Sequence, residues 1–169
     1  MNNYSLPEAL SSAFHVRKLA YADLDDIFGL CCKNEIFYRF HPPVVTFESI
    51  LEDMQALPPG KTYADKYYIG FFREDRLVAV MDLILDYPKA GIAFIGFFMM
   101  NIRYQGKQIG SSIIGEVAQY LKDAGKRAIR LAIDKANPQS THFWKKNGFT
   151  VLREIDRGNW TILEAEMTL

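Results

Sequence analysis

The feature that most constrains this chain is an apolar stretch, residues 90–100, with no charged side chain in it. Its 11 residues fall short of the roughly 20 that a membrane-spanning helix needs. Within it, residues 92–100 are apolar throughout and lack the alternation of a half-buried strand. The run therefore predicts a strand buried on both faces, inside a sheet. Two β-rich runs, residues 67–72 and 77–85, come before it around a polar turn at 73–76, and residues 88–91 make a second turn. The three runs predict an antiparallel meander.

The flanks read differently. Residues 15–19 suit a short first strand. In residues 22–32, Leu24, Ile27, Phe28 and Cys31 have the spacing of an amphipathic helix. Residues 37–45 hold a proline pair and read as a loop. Thr46 is a good N-cap for a helix carrying Phe47, Ile50, Leu51 and Met54 on one face, which ends at Pro58, Pro59 and Gly60. After the meander, Ile109, Ile113, Val117, Leu121 and Ala124 share a helical face, with Gly125 as the stop. A strand over 128–133 follows. A short helix then starts at Asn137-Pro138 and stops at Gly148, before a last hairpin of 149–155 and 160–169. The order is strand, two helices, three strands, helix, strand, helix, two strands. It predicts one α/β (mixed α+β) domain over residues 1–169, a mostly antiparallel central sheet flanked by helices.

Twenty basic and twenty acidic residues cancel, which argues against a nucleic-acid binder. The charges are unevenly placed: residues 1–85 carry 8 basic and 12 acidic side chains, and the rest carry the converse. An acidic front half and a basic back half suit two ligands of opposite sign, or no more than a mixed surface. The adjacent Cys31 and Cys32 are poorly placed for a mutual disulfide and have no partners for a metal site, so free thiols and no metal are expected. Residues 1–13 lack the basic and apolar regions of a signal peptide. A cytoplasmic protein without membrane contact is expected, as a monomer or, given its aromatic load, a homodimer.

The chemistry concentrates where the apolar strand hands over to a helix, in Tyr104-Gln105-Gly106-Lys107-Gln108-Ile109-Gly110-Ser111-Ser112. A glycine-containing loop that opens a helix points several backbone N–H groups outward, and the helix dipole adds to their attraction for an anion. Gly106 and Gly110 remove bulk where a phosphate would approach. Lys107 adds charge, and Ser111 and Ser112 add hydroxyls. A plain tight turn is the competing reading. Neither a nucleotide P-loop ending nor a G-x-G-x-x-G fingerprint is present. The second informative stretch is Asn137-Pro138-Gln139-Ser140-Thr141-His142-Phe143-Trp144-Lys145-Lys146-Asn147-Gly148-Phe149.

Together these segments resemble the acyl-CoA site of the GNAT superfamily of N-acetyltransferases. Gln105, Gly106, Lys107, Ile109 and Gly110 fit that family's loop, Gln/Arg-x-x-Gly-x-Gly/Ala. Asn137, Ser140, Phe143, Trp144, Gly148 and Phe149 fit its second motif, and residues 15–30 are similar to its opening strand and helix. The resemblance implies acetyl-CoA as co-substrate. Its pyrophosphate would lie on the N–H groups of Gln105, Gly106, Lys107, Gln108, Ile109, Gly110 and Ser111. The pantetheine arm would pair with the backbone of Phe98, Met99 and Met100 and bond to Asn137. Phe143 and Trp144 would pack at the thiol end, and Lys146 would reach the phosphates. Asn137 is equally a plain helix cap, and Phe143 and Trp144 are equally core.

Two departures from the family stand out. Gln108 occupies a position where the family prefers glycine. Trp144 stands where many members have a tyrosine thought to protonate the leaving thiolate, which an indole N–H cannot do. The meander strand often carries a carboxylate or histidine base, and here residues 92–100 hold no titratable side chain. Asp82, mid-strand among apolar residues, is a candidate base or ammonium anchor, unless it faces solvent. His41 lies in an aromatic loop on the acceptor side. The expected activity is acetyl transfer to a primary amine of a small molecule or peptide, a cationic one if the acidic front half counts. The alternatives are a CoA-binding module without turnover and a plain α/β interaction domain.

Overall fold

A computed structural model describes residues 6–169. Residues 1–5, part of the N-terminal segment searched for a signal peptide, lie outside the described residues. The elements are β1 (His15–Lys18), α1 (Leu24–Cys31), α2 (Glu35–Phe40), α3 (Phe47–Gln55), β2 (Lys66–Arg73), β3 (Arg76–Leu85), β4 (Ile92–Met100), α4 (Ile109–Asp123), β5 (Ala128–Asp134), α5 (Pro138–Lys146), β6 (Thr150–Asp156) and β7 (Thr161–Thr168). The seven strands form one sheet in the order β1-β2-β3-β4-β5-β7-β6. Every neighbouring pair is antiparallel except β4 and β5. The parallel pair follows from the crossover through α4, since parallel strands need a long connection.

Each face of the sheet has its own apolar layer. Ile113, Ile114, Val117 and Leu121 of α4 pack with Met81, Leu83, Ile129 and Leu131, and Trp144 and Phe149 extend this layer. On the other face Ile27, Leu30 and Cys31 of α1 and Ile50 of α3 pack with Tyr68, Val80 and Met99. The helix ends follow local chemistry. Thr46 Oγ1 accepts from the Ser49 N–H at the start of α3. Gly125 and Gly148, with φ of 82° and 90°, close α4 and α5 in left-handed turns. There the N–H groups of Lys126 and Phe149 donate back to the carbonyls of Leu121 and Trp144.

The structure corrects the sequence reading at three places. Part of the predicted loop 37–45 is helix α2, which packs through aromatic contacts: Phe37 meets Phe97 edge-on at 6.0 Å. The helix expected over 22–32 starts with a 3-10 turn, Tyr21–Asp23, and is α-helical only over α1. Strand β4 is not buried along its whole length, since Gly96 is exposed and Phe94, Phe97 and Phe98 are half-buried. The middle of β4 faces open space rather than core, and that space is the candidate site.

Candidate active site

Strands β4 and β5 pair only at Ile92–Ile95 and Ala128–Leu131. Beyond Ile95 the two strands carry on unpaired to Met100 and Asp134. A bulge accompanies the divergence: Asp82 faces Phe97 and Leu83 faces Ile95, so Gly96 is the extra residue. The Asn101 N–H donates to the Val78 carbonyl of β3. By strand alternation Met99 also faces β3, whereas Phe98 and Met100 turn their N–H groups into the gap. The expected backbone pairing is thus narrowed to Phe98 and Met100, and Met99 is already paired with β3.

One side of the gap opens on a cleft of about 330 Å³. Its floor is the loop into α4. Among the described residues, no acceptor takes the backbone N–H of Gly106, Lys107, Gln108, Ile109, Gly110 or Ser111; the first helical bond is Ser112 N–H to the Gln108 carbonyl, 3.0 Å. Six consecutive free donors at a helix N-terminus make an anion cradle, and the dipole of the 15-residue α4 reinforces it. The Gln105 N–H does not belong to the cradle, because it donates to the Ile102 carbonyl. Gln105 works through its side chain: Nε2 donates to Asn34 Oδ1 at 2.7 Å and to the Met100 carbonyl at 3.2 Å. Asn34 Nδ2 also reaches the Met100 carbonyl and the Leu30 carbonyl, both at 3.0 Å, so the loop is tied to α1 and β4.

Gly106 has φ of 70°, and a Cβ there would touch nothing. Gln108 has φ of 65° and holds the same left-handed conformation at a cost, which explains the family's glycine preference. A Cβ on Gly110 would lie 3.2 Å from the Phe143 ring and 3.5 Å from Met100, so this glycine lets α4, α5 and β4 converge. Gly106, Gln108, Gly110 and Ser111 line the cleft with Phe98, Met99, Met100, Asn137, Phe143, Trp144 and Lys146. Lys107 and Ile109 do not line it: Lys107 is exposed, and Ile109 packs against the α4 core. Asn137 is 2% exposed and caps α5, its Oδ1 accepting from the Ser140 N–H at 3.1 Å. Its amide nitrogen makes no hydrogen bond to any described residue, so cap and ligand donor are compatible. Trp144 is 7% exposed, stacks edge-on against Phe143 and Phe149, and still reaches the cleft.

The other side of the gap is a cavity of about 500 Å³, walled by Phe37 and Tyr38 of α2, Asp53 of α3, Tyr68, Asp82 and Phe97. Asp82 does not face solvent. Its carboxylate is 14% exposed, and both oxygens accept from Lys66 Nζ at 2.8 Å. Burial holds the Asp82 carboxyl above the usual carboxylate range, and Lys66 opposes the shift. Burial, together with the neighbouring Asp82 charge, also raises Asp53. Burial pushes the Cys31 thiol, beside Tyr38, up to about 12, which makes it an inert packing group. His41 is at the mouth, 56% exposed, with Nδ1 2.9 Å from Asp134 Oδ2. That contact bridges the end of α2 and the end of β5 across the opening. His15 and His142 are exposed.

Cleft and cavity share Phe37, Phe98, Ser140 and Trp144, so two ligands could enter from opposite sides and meet beside Phe98. The sequence reading brought together the loop, Asn137 and the aromatic pair. It missed Asn34, Lys66, Asp53 and Asp134, which are separated along the chain and become neighbours only through sheet register and helix packing. Among the described residues, no helix is long and apolar enough to cross a membrane.

Known proteins share this architecture. An acetyltransferase from Thermus thermophilus superposes with a TM-score of 0.74 at 19% identity, over 91% of this chain and 96% of that one. A PaiA N-acetyltransferase from Thermoplasma acidophilum, solved in complex with coenzyme A, gives 0.66 at 21% identity, over 91% and 98%. The ribosomal-protein-S18-alanine N-acetyltransferase from Escherichia coli gives 0.64 at 9% identity, over 90% and 92%. Among curated proteins, no sequence matches significantly. The model of the acetyltransferase (GNAT) family matches residues 33–149, which span α2 and α3 at the cavity, the divergent strands, the N–H cradle and α5. With its fold and its anion cradle both accounted for, this chain belongs to the GNAT family of acetyltransferases.

Proposed function

We propose that the protein transfers an acetyl group from acetyl-CoA to a primary amine of a small molecule or peptide. The observation that carries this reading is the row of six unpaired N–H groups from Gly106 to Ser111, beside a strand edge whose Phe98 and Met100 N–H groups face the gap. A pyrophosphate and a pantetheine amide chain need these two kinds of partner in this order. Lys146 would add charge near the phosphates, and the Asn137 amide would bond the arm. Transfer needs a neutral amine beside the thioester carbonyl. Holding both reactants at the Phe98 junction would supply much of the rate, and an N–H from β4 would stabilise the oxyanion. No acid is required of Trp144, since a thiolate with a conjugate-acid pKa of about 8.5 leaves without one. Asp53, Asp82 and Asp134 on the cavity wall favour an acceptor that arrives as a cation. The protein acts in the cytoplasm as one catalytic domain.

The rival is a CoA-binding module that transfers nothing, favoured by the absence of a titratable side chain on β4. Release of free CoA thiol from acetyl-CoA, followed with a panel of diamines, aromatic amines and short peptides, separates the two. Amine-dependent thiol release with an acetylated product supports the enzyme. Tight CoA binding with no release above the background supports the module.

A further inference from the structure

The bulge in β4 leaves a glycine beside the cavity, and a neighbouring carboxylate fills the space next to it. A Cβ built on Gly96 would lie 2.9 Å from Asp82 Oδ2 and 3.6 Å from its carboxyl carbon. The carboxylate of Asp82 thus occupies the volume that a side chain on β4 would take at residue 96. It reaches this volume from β3, and it lines the cavity beside Phe97 and Phe98. We infer that Asp82 is the general base of the transfer, supplied to β4 from β3 through the opening left by Gly96, with Lys66 as its positioning residue. This rests on the acetyltransferase reading above.

Further observations support it. Lys66 is 3% exposed at its side chain and grips both carboxylate oxygens, which fixes the Asp82 rotamer. The cost of burying this pair is not needed to hold β2 against β3, since their backbone ladder already runs from Lys66 to Arg73. The pair also opens onto a cavity instead of apolar core. Around Asp82 stand Lys66 and Tyr68 from β2 and Asp53 from α3, with Cys31, Tyr38 and His41 from α1, α2 and its end, and Asp134 from β5 on the same cavity wall. Of these only Lys66 bonds to Asp82, so the carboxylate keeps lone pairs for an incoming ammonium.

The proton balance closes within the two substrates and Asp82. The acceptor enters as R–NH3+, and one proton passes to the Asp82 carboxylate. The nitrogen lone pair forms the C–N bond at the thioester carbon. The tetrahedral adduct collapses, the C–S bond breaks, and its electrons leave on sulfur. The surplus proton on nitrogen goes to the thiolate, and Asp82 later releases its own proton to water. A carboxyl held above its usual range by burial is a better acceptor for this proton than an exposed one.

The test is the pH profile of kcat/KM with an amine that the wild-type protein acetylates. The wild type should be flat across roughly pH 7–9, because enzyme carboxylate and ammonium react together. Asp82→Asn should lose about 100- to 10,000-fold at about pH 7 and rise about tenfold per pH unit, because only free amine then reacts. The double variant Asp82→Asn/Lys66→Met removes the stranded lysine and guards against misfolding; it should show the same slope. Lys66→Met alone should move the acidic limb to higher pH. In all three, thermal stabilisation by acetyl-CoA should match the wild type. A double variant with a flat profile and a rate close to wild type would overturn the base and leave the acetyltransferase reading intact. A wild type that acetylates no amine would overturn both.

Discussion

At the scale of single residues, the loop and cap that line the cleft were legible in the sequence, and the polar wall of the cavity was not. Gly106 and Asn137 lie in short segments where local geometry alone demands a left-handed residue or a cap, whereas Gly110 is required by the close approach of Phe143 and Met100. Lys66 and Asp82 are sixteen positions apart and meet only because β2 and β3 pair with Tyr68 opposite Asp82. Asn137 holds two tasks in one amide, and they can be separated. Serine caps a helix as well as asparagine but lacks the N–H pair, so Asn137→Ser should keep its stability and bind acetyl-CoA more weakly. Asn137→Ala should lose about 0.5–2 kcal/mol in addition. Denaturant titration and calorimetric binding on both variants check this. Gln108→Gly trades a left-handed strain of about 1–2 kcal/mol against a glycine entropy cost of about 0.5–1 kcal/mol. The variant should be up to about 1.5 kcal/mol more stable in urea titration, and a loss of stability would show that the Gln108 side chain packs favourably.

Among the elements, strands and long helices were readable from their periods, while α2 was not. Its six residues give under two turns, and Asn34 makes no side-chain cap bond to it. Tertiary contacts of Phe37 with Phe97 hold it, and no sequence pattern reports those. The apolar run of β4 likewise hid its exposure, since phenylalanines that line a cavity look the same as phenylalanines in a core. The divergence of β4 from β5 predicts amide exchange in pairs: Phe98 and Met100 should exchange faster than Met99 in the free protein and slow down when acetyl-CoA is added. Residue-resolved hydrogen exchange by NMR tests this, and equal protection of all three in the free protein would argue against the gap. The turn before α1 sets an acid limit. Asp23 accepts from both Arg17 guanidinium nitrogens, at 3.0 and 2.7 Å, and from the Ala20 N–H. The Arg17 bond, helped by the Ala20 N–H, holds its carboxyl below the usual range against the cost of burial. A lowered folded-state pKa stabilises above the unfolded value and is lost as pH falls through the folded one. The wild type should therefore lose stability more steeply below about pH 4 than Asp23→Asn, as read by melting temperature against pH.

For the whole molecule, element order was legible and sheet order was only partly so. The meander follows from short turns, but placing β7 between β5 and β6 needs long-range pairing that no local signal carries. The uneven charge also resolves only in three dimensions. Asp53 and Asp82 from the acidic half face the larger cavity, and Lys146 from the basic half faces the smaller cleft; yet Lys66 and Asp134 cross over. The architecture is a sheet forced apart at its centre, with one ligand expected on each side of the split. The most direct test of that account is thermal unfolding with and without acetyl-CoA, on the wild type and on Gly110→Trp, whose indole would collide with Phe143 and Met100. At about 100 times the dissociation constant, ligand should stabilise the wild type by about 2.7 kcal/mol, or roughly 5–10 °C for a chain of this size. The account predicts that rise in the wild type and its loss in a variant that still melts cooperatively. No rise in the wild type at millimolar acetyl-CoA, or an equal rise in both proteins, would contradict it.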